Sequence, residues 1–189
     1  MRPYRLRSAR LGVGIWTPAD LELALGLWGD PEVARYMGGP FTRAQVAERL
    51  AHEVESYQRW GLQYWPLFLL DTGEHVGCCG VTPHLADGPV FQFGYHLRRA
   101  HWRNGYVREA AAVVIADAFD SLGAAALYAG HHPENVASRR ALLALGFRYT
   151  HDEFYAPTGI VEPCYRLTPQ DRDERGREVA TLSRPGARD

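Results

Sequence analysis

One junction constrains this chain more than any other. A strand-like segment runs through a basic, glycine-containing turn directly into a long amphipathic helix. Residues 90–97 read as a strand, and residues 105–122 switch to helical spacing. Ala111, Val114, Ile115, Ala118, Phe119 and Leu122 then fall on one broad apolar face. Between them lies His101-Trp102-Arg103-Asn104-Gly105-Tyr106-Val107-Arg108. Backbone N–H groups at such a helix start have no intrahelical partners, and the positive end of the helix dipole lies with them. Together they are able to hold an anion such as a pyrophosphate. Gly105 lets the main chain turn tightly, and Arg98, Arg99 and Arg103 add charge at the same end. Taken alone, the segment reads equally well as an ordinary loop-to-helix junction with a solvated basic rim.

The surrounding chain reads as one domain. Residues 10–16 suit a first strand, and Thr17-Pro18-Ala19-Asp20 reads as an N-cap with proline at the first helical position. A mainly apolar helix follows as far as Gly29-Asp30-Pro31, then a short helical turn over 32–37 that Gly38-Gly39-Pro40 stops. Thr42 caps another helix reaching Trp60. Strands at 64–70 and 75–83 surround the turn Asp71-Thr72-Gly73-Glu74, and Asp87-Gly88-Pro89 turns into the strand at 90–97. Three antiparallel strands in succession are expected. A short strand at 127–130, a helix over 135–145 with Gly146 as its stop, and closing strands at 147–150, 154–156 and 163–167 complete the domain. Beyond Pro169 the chain is charged and poor in apolar residues, so residues 1–168 are expected to form the domain and 169–189 a flexible polar tail.

Composition excludes several classes. The 189 residues carry a formal net charge of −1, which argues against wholesale nucleic-acid binding. No apolar run is long enough for a membrane span, and no signal-peptide core follows the basic start. Cys78 and Cys79 are adjacent and would point to opposite faces of a strand. They read as buried small hydrophobes in a reducing, cytoplasmic setting. No His-Glu-x-x-His pattern or paired-cysteine spacing points to a metal. A nucleotide-binding signature (Gly-x-Gly-x-x-Gly or Gly-Lys-Ser/Thr) does not occur either.

A second segment, His132-Pro133-Glu134-Asn135-Val136-Ala137-Ser138, opens a helix just after a short strand, and that helix exits through Leu145-Gly146-Phe147. Asn135 suits an N-cap, with Ser138 bonding locally. Five features in order then resemble the GCN5-related N-acetyltransferase superfamily, in its branch of RimJ and RimL ribosomal-protein alanine acetyltransferases. They are Arg10-Leu11, Asp30-Pro31-Glu32-Val33, Gly94-Tyr95, the run from Trp102 through Gly105-Tyr106 to Glu109-Ala110, and Glu134-Asn135 with Ser138 and Leu145-Gly146-Phe147. The resemblance covers residues 10–167. Three positions depart from it: Arg103 where many members have glycine, Val107 where alanine or glycine is usual, and Gln92 where many have a glutamate.

The resemblance implies an α+β, three-layer fold: a mixed, mostly antiparallel sheet flanked by helices, with its fourth and fifth strands splayed. It implies direct transfer of acetyl from acetyl-CoA to a primary amine of unknown identity, a protein or peptide N-terminus or a small molecule, with no nucleic-acid or membrane partner, by a monomer or homodimer. The pantetheine arm would pair with backbone at Tyr95, His96, Leu97 and Arg98, one N–H polarising the thioester carbonyl. Arg103, Asn104, Gly105, Tyr106, Val107 and Arg108 would surround the pyrophosphate. Asn135 would bond the pantetheine and Ser138 the departing sulfur. With Gln92 unable to accept a proton, the candidate bases are His131, His96, Glu74 and Glu109. Glu109 reads better as a residue fixing the turn. Acceptor contacts are expected from residues 30–37 and from Trp60, Tyr64 and Trp65, each of which also suits plain core packing. Gln92 favours one rival, a non-catalytic acyl-CoA-binding or sensing module on the same fold.

Overall fold

The computed structural model of the chain describes residues 2–84 and 89–182. In chain order the strands and helices are β1 (Leu6–Arg7), β2 (Leu11–Val13), α1 (Leu21–Trp28), α2 (Pro31–Ala34), α3 (Arg43–Trp60), β3 (Tyr64–Leu69), β4 (His75–Pro83), β5 (Val90–Leu97), α4 (Tyr106–Asp120), β6 (Ala126–Gly130), α5 (Val136–Leu145), β7 (Arg148–Tyr155), β8 (Ile160–Leu167) and α6 (Pro169–Leu182). The strands form one eight-stranded sheet in the order β1-β2-β3-β4-β5-β6-β8-β7. Every adjacent pair is antiparallel except β5 and β6, which run parallel. Because β1 precedes the first strand read from the sequence, the splayed fourth and fifth strands are β5 and β6.

The sheet is covered on both faces, and the alternation of side chains assigns residues to each. Tyr64 and Cys78 face a core of Trp16, Leu27, Trp28, Val46 and Leu50 from α1, α3 and the segment before them. Trp65 and Cys79 face the opposite core, with Val114, Ile115, Ala118 and Phe119 of α4 and Leu142 of α5. The adjacent cysteines are therefore buried, free and on opposite faces. Buried on both sides, β3 and β4 read as continuous apolar runs.

Local signals set the helix ends. Thr42 and Gln45 form a reciprocal capping box at the start of α3, and Gly61 ends it with φ 69°. A cap at Thr17 serves a short 3-10 turn, Pro18–Asp20, that leads into α1. Asp20 is buried there and paired with Arg2.

Two expectations are corrected, and a third lies partly beyond view. The separate strands at 147–150 and 154–156 are one strand, β7. All its side chains are exposed, so no alternation of buried and polar residues revealed its middle. The start of the polar tail is helical: Thr168 and Asp171 exchange capping bonds of 3.0 and 3.2 Å, and Arg148 reaches Asp171 at 2.9 Å and Glu174 at 2.8 Å. Arg172 pairs with Asp120 of α4 at 2.7 Å, so the charge that marked this segment as a tail is what docks it. Of the turn at Asp87-Gly88-Pro89, residues 87 and 88 lie outside the described residues. Among the described residues, no helix is long and apolar enough to cross a membrane.

Candidate active site

The site begins where pairing stops. Val90 pairs with Ala126, Phe91 with Leu127 and Gln92 with Tyr128; beyond that the β5–β6 ladder ends. Both strands nevertheless continue, β5 to Leu97 and β6 to Gly130. The stretch of β5 holding Tyr95, His96 and Leu97 thus keeps its pairs with β4 while the edge turned toward β6 is open. Backbone groups there are ready to bond an extended ligand.

At one end of this gap lies the phosphate-type turn. Gly105 is the N-cap of α4 at φ 78°, and Arg103 adopts φ 62°, a left-handed conformation that favours glycine. This gives the physical reason glycine suits position 103. The turn is braced from behind. Trp102 Nε1 donates to Leu97 O at 2.8 Å, Asn104 Nδ2 to Trp102 O at 3.2 Å, and an Arg10 guanidinium nitrogen to Asn104 O at 3.1 Å. Glu109 accepts from Ser8 Oγ at 2.7 Å and from Arg10 N at 2.6 Å and Nε at 2.7 Å. Desolvation works against ionisation of Glu109, but these bonds outweigh it and hold the carboxyl below the ordinary carboxylate range. Glu109 thus ties the β1–β2 hairpin to the start of α4.

A cavity of about 240 Å³ opens in front of the turn, lined by Leu97, Arg103, Gly105, Tyr106, Val107 and Arg108, with Ala141, Ala144 and Leu145 of α5 as its apolar wall. The first N–H groups of α4, two arginines and an apolar wall are a donor set that fits a pyrophosphate joined to a largely apolar arm. Val107 narrows the cavity without removing a backbone donor.

Along the gap, Asn135 caps α5, its Oδ1 accepting from Ser138 N at 3.0 Å. Tyr95 reaches across from β5 and donates its hydroxyl to Ser138 Oγ at 3.2 Å. Burial raises the Tyr95 phenol, with the bond to Ser138 pulling the other way, so it stays a neutral donor.

Neither histidine singled out from the sequence is free. His96 points to the sheet face opposite Tyr95, where Nδ1 accepts from Trp28 Nε1 at 3.4 Å and lies 3.5 Å from Cys78 Sγ. Burial of the imidazole, with Arg49 nearby, pushes it down to about 3, so this half-buried residue is neutral at physiological pH. His131 is buried beyond the end of β6. Its Nδ1 lies 2.8 Å from His132 O, its Nε2 is 3.3 Å from Tyr165 Oη, and its ring stacks on Tyr165. With both nitrogens engaged, the ring is built to stay in place. Glu74 lies 3.2 Å from His101 Nε2, on the turn between β3 and β4.

The carboxylate that sequence reasoning missed is Glu162, on β8. It is 8 % exposed, and one oxygen accepts from Thr158 Oγ1 at 3.2 Å. The other lies beside Gly130, 3.6 Å from where a Cβ would stand. Gly130 is the last residue of β6, two beyond the last one paired with β5. Desolvation lifts the Glu162 carboxyl above the ordinary carboxylate range, while Thr158, His132 and His131 pull it down. No linear motif marks Glu162, because only the β6–β8 pairing sets it beside Gly130.

Among the other expected acceptor contacts, Trp65 is fully buried in the α4-side core, Trp60 is exposed at the end of α3, and Tyr64 packs under Gly94. The segment after α2 does approach the gap. Tyr36 packs on His132 with ring centroids 4.9 Å apart, and Gly38 abuts Pro157 O in the β7–β8 turn.

The family model "Acetyltransferase (GNAT) domain" matches residues 10–148. An uncharacterized N-acetyltransferase, p20 of Bacillus licheniformis, is 30% identical over 131 residues, 68% of this chain and 74% of that protein. The fold is shared with an acetyltransferase from Agrobacterium tumefaciens str. C58 at TM-score 0.74 and 23% identity, covering 86% of this chain and 92% of that one. It is also shared with RimL, a ribosomal L7/L12 alpha-N-protein acetyltransferase, at TM-score 0.72 and 11% identity, covering 89% and 95%. The chain belongs to the GNAT acetyltransferases, acyltransferases that use acetyl-CoA as cosubstrate.

Proposed function

We propose that this protein transfers the acetyl group of acetyl-CoA to a primary amine by direct attack in a ternary complex. The observation that carries this reading is the open edge of β5. It is flanked at one end by an anion-ready helix start and along its length by the Tyr95–Ser138 hydroxyl pair. Acetyl-CoA supplies the activated acetyl thioester. The turn from Arg103 to Arg108 binds its pyrophosphate, and the open backbone at Tyr95–Leu97 aligns the arm. An N–H on that edge polarises the carbonyl as negative charge develops on its oxygen. Tyr95 donates to Ser138 Oγ, which leaves the serine hydroxyl proton free to turn toward the departing sulfur.

An ammonium acceptor must lose a proton before it attacks. Glu162 is the group we assign to this step, directly or through water. Gln92 cannot accept a proton, and the lone pairs of His96 and His131 are already engaged. A carboxyl raised above the ordinary glutamate range by burial binds a proton more tightly than an ordinary glutamate and is the better acceptor. The segment around Tyr36, with His132 and the β7–β8 turn, forms the acceptor side. The free, buried cysteines Cys78 and Cys79 fit a protein of the reducing cytoplasm.

The test is thiol release from acetyl-CoA over a panel of amines, covering peptide N-termini, aminoglycosides, amino acids and simple amines, with mass spectrometry of the product. The expected result is amine-dependent thiol release matched by N-acetylated product. Binding of acetyl-CoA with no turnover for any amine would instead support the non-catalytic module that Gln92 favours.

A further inference from the structure

A second cluster of chemistry-bearing side chains adjoins the proposed acetyl-transfer site without including its assigned groups: Cys164 Sγ stands beside Gly130, 3.8 Å from where a Cβ would be, next to Glu162. On the hairpin of β7 and β8, Cys164 pairs across the strands with His151, and Glu153 follows two residues along the same face of β7. Cys164 Sγ lies 3.8 Å from Glu153 Oε2, and His151 Nε2 lies 3.8 Å from the same oxygen. All three ligand-type atoms lie within 4.8 Å of one another. A tetrahedral zinc ion with bonds of about 2.3 Å to sulfur and about 2.0 Å to nitrogen and oxygen sets its ligand atoms roughly 3.3–3.6 Å apart. Two of the three separations are thus within a few tenths of an ångström of a zinc site.

The surroundings of the histidine supply an independent observation. The strand pairing shifts register between Tyr149 and His151, which leaves Thr150 out of the ladder. Thr150 Oγ1 donates to Cys164 O at 3.1 Å and lies 3.0 Å from His151 Nδ1. With its own proton spent on the carbonyl, the hydroxyl can only accept from that nitrogen. This fixes the tautomer with the proton on Nδ1 and leaves the Nε2 lone pair directed at the cluster. An outer partner holding the far ring nitrogen is what orients a metal-bound histidine. His151 and Glu153 are exposed and Cys164 is half-buried, so an ion can enter from solvent.

We propose that His151, Glu153 and Cys164 form a binding site for a zinc-type divalent cation, with a solvent molecule as fourth ligand. The thiolate–imidazole–carboxylate set favours zinc over the hard ions magnesium and calcium, which prefer oxygen alone. Binding displaces the thiol proton of Cys164 to solvent, and the cation offsets the acidic surroundings. Burial and the neighbouring Glu153, Glu162 and Asp152 hold that thiol up at about 11 in the metal-free protein. An occupied site staples the exposed edge strand β7 to β8 two residues from Glu162. Sequence spacing did not reveal it, because its ligands come from two strands and meet only through their pairing.

The full-length, tag-free protein, stripped with chelator, is titrated with cobalt(II) and then zinc(II). The expected result is one cobalt per chain, a thiolate-to-cobalt charge-transfer band, its displacement by zinc, and a melting temperature that rises with zinc. Cys164→Ser abolishes the band and weakens zinc binding by about a hundredfold or more, and Thr150→Val, which keeps all three ligands, weakens it by about tenfold. Circular dichroism verifies that both variants fold, and His151→Gln gives a second ligand loss at an exposed position. Absence of a one-to-one cobalt complex would overturn the proposal. So would a band that survives Cys164→Ser, or zinc affinity unchanged in His151→Gln.

Discussion

The two sides of the β5–β6 gap are built differently. The proposed cofactor side is made mainly of backbone: the open edge of β5, the first N–H groups of α4 and the left-handed residues Arg103 and Gly105. Its side chains either brace that backbone, as Glu109 and Trp102 do, or line the cavity with charge and apolar surface. The proposed acceptor side would depend instead on individual side chains brought from distant parts of the chain, with Glu162 from β8, Tyr36 from beyond α2 and His132 from beyond β6. A backbone-built site tolerates changes of side chain, whereas a side-chain-built site loses its chemistry with one substitution. This contrast explains how Arg103 and Val107 can depart from the family pattern while the turn keeps its shape.

The contrast makes predictions that differ in size. Glu162→Gln keeps the shape and an acceptor for Thr158 but removes the proposed base, so kcat should fall by about 10²–10⁴-fold with the KM for acetyl-CoA little changed. Steady-state kinetics at saturating amine reads this directly. Ser138→Ala removes one hydrogen bond to a sulfur that gains charge, so kcat should fall by roughly ten- to a hundredfold, again with cofactor affinity nearly preserved. If its rate equals that of wild type, the serine has no part in the chemical step. Gly105→Val forces a branched residue into left-handed backbone at a cost of about 1–2 kcal/mol, and the KM for acetyl-CoA should rise by about tenfold. Isothermal titration with acetyl-CoA separates that loss from any change in turnover. The smallest effect is on stability: Glu109→Ala removes a part-buried acceptor of three hydrogen bonds and should cost about 1–2 kcal/mol in urea unfolding.

Glu162 also carries a stability prediction of opposite sign. Its carboxyl is raised in the folded protein, so the stability it contributes is full below the unfolded value and is lost as pH rises through the folded one. Once ionised, the group therefore costs stability, and above its folded value Glu162→Gln should melt at a higher temperature than wild type while being far less active. Equal melting of the two proteins across the neutral range would mean that burial of Glu162 carries no such cost.

How much of this was legible in the sequence follows the same division. Apolar spacing along α4 and the Thr42 cap gave those helices directly, since local periodicity and local bonds determine them. The turn at Gly105 was legible because its chemistry is contiguous backbone. The helix α6 was hidden by its charge. The available signal was the capping box of Thr168 and Asp171, and the ion pairs from Arg148 and Arg172 that dock the helix come from pairing across the fold. His96 and His131 stood out as chemistry-bearing residues, but a sequence does not say which face of a strand is packed or which lone pair is already used. Glu162 and Cys164 were illegible for the complementary reason: their partners, Gly130 and His151, are set by strand register.

The pH dependence of kcat/KM for wild type and Glu162→Gln, measured with one amine acceptor that supports turnover, tests the assignment of chemistry to the acceptor side most directly. In wild type the rate should fall as pH drops through the raised carboxyl, giving an acidic limb above the ordinary glutamate value of 4.5, and that limb should vanish in the variant. A variant that keeps the wild-type acidic limb and most of its rate would contradict the account and return the base to another group.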